Sequence, residues 1–371
     1  MYKIRSFLCL VIITDNFFMI ISQKTCEKSD CYCCYKLDRK ECQCMNINNR
    51  NNLRETLNQA DNCNYKMDRS SGLDGLYRPR SALARALYEK QRNDRYLQEY
   101  DHTEWYRVDK SKLTPELEKT FVQLDPDEET KEFLSNSIEK STWVWTQVWY
   151  LLAKAVLRHF WSITDINGWL GRGSMFVLSE AQAQAMLDGA GVSGSGRGAL
   201  VDIGAGDGEV SRRFAHLYGA KYATEISASM RKVLGKKGYS ILDTEDWYSG
   251  QRFDCVCMLN LLDRCSKPRS MLAQARAALV PGGSLMLALV LPYKPYVEVN
   301  RDHKPEERIP INGVLFEEQV ASFVEFMKAS GFELASWTRA PYLCEGDFAQ
   351  AYYWLDDSVY VFKPIAIPSD S

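Results

Sequence analysis

The strongest constraint on the fold is a short apolar run that leads straight into three alternating glycines, Val201-Asp-Ile-Gly-Ala-Gly-Asp-Gly-Glu209. Gly204, Gly206 and Gly208 allow the backbone to turn tightly and leave no side chain between the loop and a ligand. A helix that begins at this loop directs its free N–H groups toward the same place. The segment therefore predicts a strand, a ligand-binding turn and a helix in succession.

Strand-like apolar runs alternate with helical stretches after a glycine- and serine-rich connector at 192–198. This order predicts a mostly parallel sheet that is covered by helices on both faces. We therefore expect an α/β fold with a mostly parallel, seven-stranded sheet, a terminal antiparallel hairpin and an N-terminal helical extension. The strand candidates are 199–203, 220–225, 239–242, 253–260, 284–291, 332–338 and 353–364, and helices are expected from Gly208, Ser227 and Pro268 and over 316–330.

The residues around the glycines distinguish between two classes of ligand. A dinucleotide site has the pattern G-x-G-x-x-G, whose third glycine would fall where this chain has Glu209. Asp202 and Glu225 place carboxylates where they would repel a pyrophosphate but attract a cation, and Glu225 can bind both ribose hydroxyls. The remaining pattern, acid-x-G-x-G-x-G, resembles that of the Rossmann-like S-adenosylmethionine-dependent methyltransferases. The resemblance implies S-adenosylmethionine as the ligand, which carries an ammonium and a sulfonium and no phosphate.

A second polar cluster, Leu259-Asn-Leu-Leu-Asp-Arg-Cys265, follows the fourth predicted strand. In open α/β sheets, ligands lie beyond the carboxyl ends of the strands. We therefore expect Asn260 and Asp263 to contact the methyl donor and the acceptor. Two other interpretations of Asp263 stay open: it can instead cap the following helix or pair with Arg264.

Several longer stretches form motifs of a known family. They include Asn136-Ser-Ile-Glu-Lys-Ser141, Ile166-Asn-Gly-Trp-Leu-Gly-Arg-Gly-Ser-Met-Phe176, Leu287-Ala-Leu-Val-Leu-Pro292 and Arg339-Ala-Pro-Tyr-Leu-Cys-Glu-Gly-Asp347. Together with the glycine loop and the Asn260 cluster, these stretches resemble the DREV-type methyltransferases over about 132–364. The resemblance implies a Rossmann-like class I fold, S-adenosylmethionine as methyl donor, and protein-histidine N-methyltransferase activity.

The resemblance also implies particular site residues. It implies that the acceptor is the N-pros nitrogen of a histidine within His-x-His sequences of protein substrates. We further expect Arg172, within the segment 166–176, to lie over the donor and bind its carboxylate. The remaining residues expected at the donor are Asp202, Gly204, Gly206, Glu225, Asn260 and Tyr342.

The chemistry of imidazole limits what the catalytic residues must do. A neutral imidazole already offers a lone pair near pH 7, so no strong base is needed. Attack by N-pros requires the proton to be on N-tele, and a carboxylate that accepts this N–H fixes the tautomer and stabilises the developing cation. We predict that Asp263 is this acceptor and that Tyr353 lines the imidazole pocket.

Two alternatives remain: a methyltransferase of another acceptor class, such as a small molecule or RNA, and a non-catalytic scaffold that retains the fold. The chain has 46 Lys and Arg against 48 Asp and Glu, and a net charge of −2, so nucleic acid is disfavoured as a partner. The polar residues that converge on one cleft weigh against a scaffold. The four histidines of the chain are expected at the surface or in packing contacts: His102, His159, His216 and His303.

The N-terminal part carries a different set of signals. Residues 1–22 are typical of a secretory signal or a weak anchor, with a buried or disordered terminus as the alternative. We expect a Cys- and Asn-rich tail at 23–75, a helical extension at 76–191 and a methyltransferase domain at 192–371. The signal-like segment and the resemblance predict the endoplasmic reticulum, then the mitochondrion, with weak membrane association through the N-terminus.

Eight of the 12 cysteines lie in the first 63 residues. Their spacing matches a zinc site only in part, so disulfides in an oxidising lumen or free thiols are preferred and no metal is expected.

An aromatic segment at 143–153 has 11 uncharged residues. This is too short to span a bilayer, which needs about 20. We therefore predict a buried helix. Core packing is favoured over a substrate groove for its tryptophans and the following one: Trp143, Trp145, Trp149 and Trp161.

Overall fold

The computed structural model describes residues 81–160, 163–192, 197–298 and 300–365. The predicted signal or anchor segment, the Cys-rich tail and Trp161 lie outside these ranges. None of the helices within them combines the length and the hydropathy that a bilayer span requires. The described residues from Glu89 onward belong to one compact unit.

The described ranges contain ten α-helices and eight strands. The helices are α1 (Ala82–Glu99), α2 (Pro115–Thr120), α3 (Glu128–Thr142), α4 (Val144–Leu157), α5 (Ile163–Leu170), α6 (Glu180–Gly189), α7 (Glu209–Ala215), α8 (Ala228–Lys236), α9 (Pro268–Ala278) and α10 (Phe316–Ala329). The strands are β1 (Met175–Phe176), β2 (Arg197–Ile203), β3 (Tyr218–Thr224), β4 (Ser240–Leu242), β5 (Phe253–Leu259), β6 (Leu279–Val290), β7 (Phe332–Glu345) and β8 (Tyr352–Pro364).

The strands form one mixed sheet in the order β1-β7-β8-β6-β5-β2-β3-β4. Strands β2 to β6 pair in parallel, whereas β8 runs antiparallel between β6 and β7, and β1 pairs antiparallel with β7. The chain builds outward from β2 to β4 and then crosses back to place β5 on the other side of β2. Ligands of open α/β sheets bind beyond the carboxyl ends of the strands beside such a reversal.

The predicted α/β fold is confirmed, with a mostly parallel sheet and a terminal antiparallel β7–β8 hairpin. The predicted number of seven strands is wrong, because β1 is an eighth. Met175 and Phe176 pair with Cys344 and Leu343 of β7, far along the chain. A strand of two residues is too short to show an alternating pattern, so the sequence gives no signal for it.

Strands β5 and β6 form the centre of the core. Residues 255–258 and 285–289 are completely buried, as expected for strands covered on both faces. Leu272 of α9 and Phe323 of α10 belong to the same apolar cluster. This buried frame holds the loops at the carboxyl ends of β2 and β5 in fixed positions.

Helix α4 does not have the predicted buried aromatic face. Trp143, Trp145 and Trp149 are 50%, 86% and 58% exposed. The helix faces the protein through Gln147 and Ala153, which are buried. The side chains of these three tryptophans are therefore exposed to solvent, and the prediction of core packing is wrong for them.

Candidate functional site

The glycine loop between β2 and α7 depends on the absence of side chains. Gly204, Gly206 and Gly208 have φ values of +69°, +58° and +73°, a region that other residues rarely adopt. A Cβ atom at Gly204 would lie 2.9 Å from Leu261, and one at Gly208 would lie 2.6 Å from Leu234. Backbone conformation and packing therefore both require glycine at these two positions.

The middle glycine is the open position of the loop. A Cβ atom at Gly206 would meet nothing closer than Cε of Met175, at 3.9 Å. Sδ of Met175 accepts a hydrogen bond of 2.5 Å from the hydroxyl of Tyr342. Three strands separate β7 from β2 in the sheet order, yet Met175 brings Tyr342 of β7 close to the glycine loop.

Glu225, directly after β3, connects the glycine loop to the next helix. Its Oε2 atom accepts a hydrogen bond of 2.9 Å from the backbone N–H of Gly206, and its Oε1 atom accepts one of 2.8 Å from that of Ser227. Burial raises the pKa of this carboxyl, and both hydrogen bonds act in the opposite direction. Each oxygen keeps a lone pair, so the carboxylate can still accept a hydrogen bond from a ligand hydroxyl.

Asp202 lies near the carboxyl end of β2 and is completely buried. Burial raises the pKa of its carboxyl to about 7, and the charges of Glu225 and Asp207 also raise it, whereas a hydrogen bond from Ser211 lowers it. The loop thus concentrates carboxyl groups at one place. A cation bound there would relieve their repulsion, whereas a pyrophosphate would increase it.

Asn260, directly after β5, has an unusual backbone and a buried partner. Its φ is +58°, a conformation that asparagine tolerates better than most residues. Its Nδ2 atom donates a hydrogen bond of 2.9 Å to Oδ2 of Asp357 on β8. Its Oδ1 atom is buried and has no hydrogen-bond partner in the described structure. A buried acceptor without a hydrogen-bond partner lowers the stability of the protein. A ligand N–H or O–H that donates to this oxygen would remove that cost.

Asp263 is held by one carboxylate oxygen only. Its Oδ2 atom lies 3.1 Å from Nε of Arg264, whereas its buried Oδ1 atom has no partner among the described residues. Burial raises the pKa of this carboxyl, and the charge of Arg264 lowers it. Lys267 occupies the N-cap position of α9, so the helix-capping interpretation is wrong and pairing with Arg264 is confirmed.

The motifs of this site agree with a comparison of the whole sequence. A family model described as DREV methyltransferase matches residues 105–364. The chain belongs to the DREV methyltransferase family. The sheet of this DREV methyltransferase places the family's glycine loop, Asn260 and Asp263 beyond the ends of β2 and β5, as predicted.

Solved structures show similarity at low identity. The DhpI complex with S-adenosylhomocysteine is 15% identical, covers 62% of this chain and 97% of its own, and has a TM-score of 0.34. The N-methyltransferase NodS from Bradyrhizobium japonicum is 14% identical, covers 50% and 86%, and has a TM-score of 0.33. A putative RNA methyltransferase from Pyrococcus horikoshii is 16% identical, covers 50% and 83%, and has a TM-score of 0.36.

Arg172 of this DREV methyltransferase contacts other protein groups. Its Nη2 atom donates a hydrogen bond of 2.7 Å to the carbonyl of Gly346, and its Nε atom lies 3.8 Å from Glu345. Its guanidinium also lies 4.6 Å from the ring centre of Tyr150. Binding of the donor carboxylate by Arg172 stays a prediction.

The start of the 166–176 segment, on α5, packs beside the residues that follow Glu225. Oδ1 of Asp165, the residue before the segment, accepts hydrogen bonds of 2.5 and 2.6 Å from the hydroxyls of Ser227 and Ser229. A Cβ atom at Gly168 would lie 3.1 Å from the Met230 side chain. Helix α5 therefore packs closely on the start of α8, next to the carboxylate predicted to bind ribose.

Tyr353 is directed to the turn between β7 and β8. Its hydroxyl donates a hydrogen bond of 3.0 Å to Oδ1 of Asp347, and burial, together with the charge of Asp347, raises its pKa. The contacts of Tyr353 therefore place it in this turn, and its role in the imidazole pocket stays a prediction.

The histidines of the chain occupy the packing and surface positions expected of them. Nε2 of His102 lies 3.0 Å from the hydroxyl of Tyr352, and the ring of His303 stacks on Tyr296 at 4.5 Å. His216 pairs with Glu180 at the surface. The residues of the described ranges form no group of three or more His, Cys, Asp or Glu that could hold a metal ion.

Sequence reasoning missed Asp357 and Tyr293. Asp357 pairs with Val290 at the carboxyl end of β6 because β8 runs antiparallel to it. Burial raises the pKa of the Asp357 carboxyl to about 8, with the charge of Asp263 acting in the same direction. The hydroxyl of Tyr293 is buried without a partner in the described structure, and burial and the Asp263 charge raise its pKa. The acidic pair Asp356-Asp357 within an otherwise largely apolar strand was the available signal for Asp357.

Proposed function

We propose that this DREV methyltransferase transfers a methyl group from S-adenosylmethionine to the N-pros nitrogen of histidines in His-x-His sequences of protein substrates. The observation that carries this proposal is the divided environment of Asp263, which has one oxygen against Arg264 and the other buried without a partner in the described structure. Such a carboxylate is fixed in orientation and still has an acceptor available for a substrate N–H.

The residues of the glycine loop and its surroundings fit the proposed methyl donor. S-adenosylmethionine supplies a methyl group on a positively charged sulfonium. Glu225 would bind the ribose hydroxyls, Gly206 leaves room for a close backbone approach, and Oδ1 of Asn260 would accept a hydrogen bond from the donor. The buried carboxyl groups of Asp202 and Asp357, whose pKa values are raised by burial, favour a cation in their vicinity.

Asp263 would select the reactive tautomer of the substrate. A substrate imidazole that donates its N-tele proton to Oδ1 of Asp263 leaves the N-pros lone pair free for the methyl carbon. As the ring gains the methyl group it becomes an imidazolium, and the sulfur of the donor keeps the electron pair of the broken C–S bond. Asp263 would stabilise this charge and hold the N-tele proton until the product leaves.

The test uses the purified full-length chain and labelled donor. We expect tritium from S-adenosylmethionine to enter a His-x-His peptide but not the same peptide with both histidines replaced by Gln. Mass spectrometry with N-pros and N-tele methylhistidine standards then assigns the nitrogen. Label found only on RNA, or only on small molecules, would identify another acceptor class. A chain that does not bind S-adenosylhomocysteine would be a scaffold.

The cellular expectations belong to the same proposal. Histidine-containing protein substrates of the endoplasmic reticulum, and secondly of the mitochondrion, would meet the enzyme if residues 1–22 direct it there. Localisation of the tagged full-length chain with and without this segment tests that part separately.

A further inference from the structure

Helix α4 has the reverse of the usual arrangement for a surface helix. Surface helices normally pack an apolar face on the core and direct polar residues to water. In α4 the inward residues include only the small apolar Ala153 beside two polar contacts: Nε2 of Gln147 donates a hydrogen bond of 3.0 Å to the carbonyl of Lys140, and Arg172 lies over the ring of Tyr150. The apolar face is the outward one. No described residue covers this apolar face, so any group that buries it lies outside the described part of the chain.

The outward face is a continuous apolar stripe. Trp145, Trp149, Leu152, Val156 and Phe160 are 86%, 58%, 59%, 62% and 80% exposed. Their spacing of three or four residues puts them on one side of α4 and the turn that follows. Exposed apolar surface of this kind marks an interaction site on a soluble domain.

The charged residues within the segment that carries the stripe are of one sign. The segment 141–164 contains Lys154 and Arg158 but no Asp or Glu. A basic helix with aromatic residues on its apolar face is typical of helices that lie in the interface of a membrane with anionic lipids. Tryptophan in particular favours the headgroup level of a bilayer, because its ring is apolar and its N–H is polar.

The length of α4 excludes a span and permits a flat orientation. Its 14 residues extend for about 21 Å at 1.5 Å per residue, which is less than the ~30 Å of the hydrocarbon layer. The neighbouring helix α5 also exposes an aromatic side chain, Trp169, at 58%. We propose that the stripe Trp145–Trp149–Leu152–Val156–Phe160 is a membrane-binding surface that lies flat on anionic phospholipid bilayers.

This surface is separate from the predicted N-terminal segment and does not depend on the methyl transfer reaction. It would hold the enzyme at a membrane even when residues 1–22 have been removed by processing. Substrates presented near that membrane would then be favoured.

The test is flotation of the full-length chain with vesicles of phosphatidylcholine alone and of phosphatidylcholine with 30% phosphatidylserine. We expect binding to the anionic vesicles that weakens as the salt concentration rises. The double variant Trp145→Ser/Trp149→Ser should lower the partition coefficient at least about tenfold. Val314→Ser, at an exposed apolar position outside the stripe (72% exposed), is the matched control and should bind as the unmodified chain does.

Three results would overturn the proposal. The first is an absence of vesicle binding by the unmodified chain. The second is binding that the tryptophan variant retains, because another segment would then be responsible. The third is self-association, measured by sedimentation, that the tryptophan variant abolishes without any effect on vesicle binding, since the stripe would then be an interface between copies. Unchanged thermal unfolding of both variants excludes misfolding as the cause.

Discussion

The Nδ2 atom of Asn260 donates a hydrogen bond of 2.9 Å to Oδ2 of Asp357, which joins the end of β5 to the returning strand β8. This bond fixes the side chain of Asn260, whose backbone lies in the left-handed region. It leaves Oδ1 of Asn260 as the atom available to a ligand. Asp357 therefore positions Asn260 for the ligand.

Removal of this support should weaken donor binding. In Asp357→Ala, the Nδ2 group of Asn260 loses its buried acceptor, at a cost of about 1–3 kcal/mol. We expect the affinity for S-adenosylhomocysteine, measured by calorimetry, to fall about tenfold. Asp357→Asn keeps an acceptor oxygen and should recover part of the loss. Asp356→Asn, at the neighbouring residue that pairs with Arg339, should leave binding unchanged, and equal losses at both positions would contradict the role.

Glu225 provides a second test of the donor site. Glu225→Ala removes two backbone hydrogen bonds and the carboxylate predicted to bind ribose. We expect S-adenosylhomocysteine to bind about 10- to 100-fold more weakly by calorimetry, since bonds to a charged group contribute about 1.5–3 kcal/mol. The exposed Glu245→Ala is the control. Normal affinity in Glu225→Ala would place the donor elsewhere.

Asp263 should affect turnover rather than donor binding. In Asp263→Ala, no carboxylate holds the N-tele proton or stabilises the imidazolium, so we expect kcat on a His-x-His peptide to fall about 100-fold. The affinity for S-adenosylhomocysteine should stay close to that of the unmodified chain. Asp254→Ala, an acid on β5 away from its carboxyl end, serves as the comparison. Unchanged turnover in Asp263→Ala would remove the proposed role.

The sequence predicted the parts of the site that local geometry determines. Gly204, Glu225 and Asn260 directly follow strands, so their position at one edge of the sheet follows from parallel pairing. It did not predict Asp357, because its role depends on the antiparallel return of β8. The exposure of Trp145 was also missed, because a helical apolar pattern does not show which face is covered. Likewise, the contact of Met175 with Tyr342 joins distant segments that no periodicity connects.

The raised pKa values of two buried carboxyl groups predict how the stability of the ligand-free protein depends on pH. The folded-state pKa of Asp202 is about 7 and that of Asp357 about 8, above the ordinary value near 3.9. The folded state holds the protons of these carboxyl groups more tightly than the unfolded state does. Their contribution to the free energy of unfolding is therefore present below about pH 4 and is lost as the pH rises toward 7 to 8, at about 1.4 kcal/mol per pH unit for each carboxyl. A bound cation favours the ionised forms, so donor affinity should rise over the same range.

The measurement compares thermal unfolding of the ligand-free chain at pH 5 and pH 8. Asp202→Asn should reduce the loss of stability between the two values, because the variant side chain does not ionise. The exposed Asp243→Asn should behave as the unmodified chain does. An unchanged loss in Asp202→Asn would show that this carboxyl is not responsible.

Substitutions of glycine by alanine can distinguish the loss of space for a ligand from the cost of a strained backbone. Gly206→Ala and Gly282→Ala both force alanine into positive φ, at +58° and +79°, and neither Cβ has a close neighbour. Both should lose about 1–2 kcal/mol of stability. Only Gly206→Ala places a methyl group where the donor is expected, so only this variant should lose at least tenfold in S-adenosylhomocysteine affinity.

Gly208→Ala completes the comparison. Its Cβ would lie 2.6 Å from Leu234, so overpacking adds about 1–3 kcal/mol to the strain, and it should have the lowest melting temperature of the three variants. If Gly206→Ala binds S-adenosylhomocysteine as well as Gly282→Ala does, the donor does not approach the middle of the loop. The affinity difference between these two variants therefore reports ligand contact alone, because their backbone cost is the same.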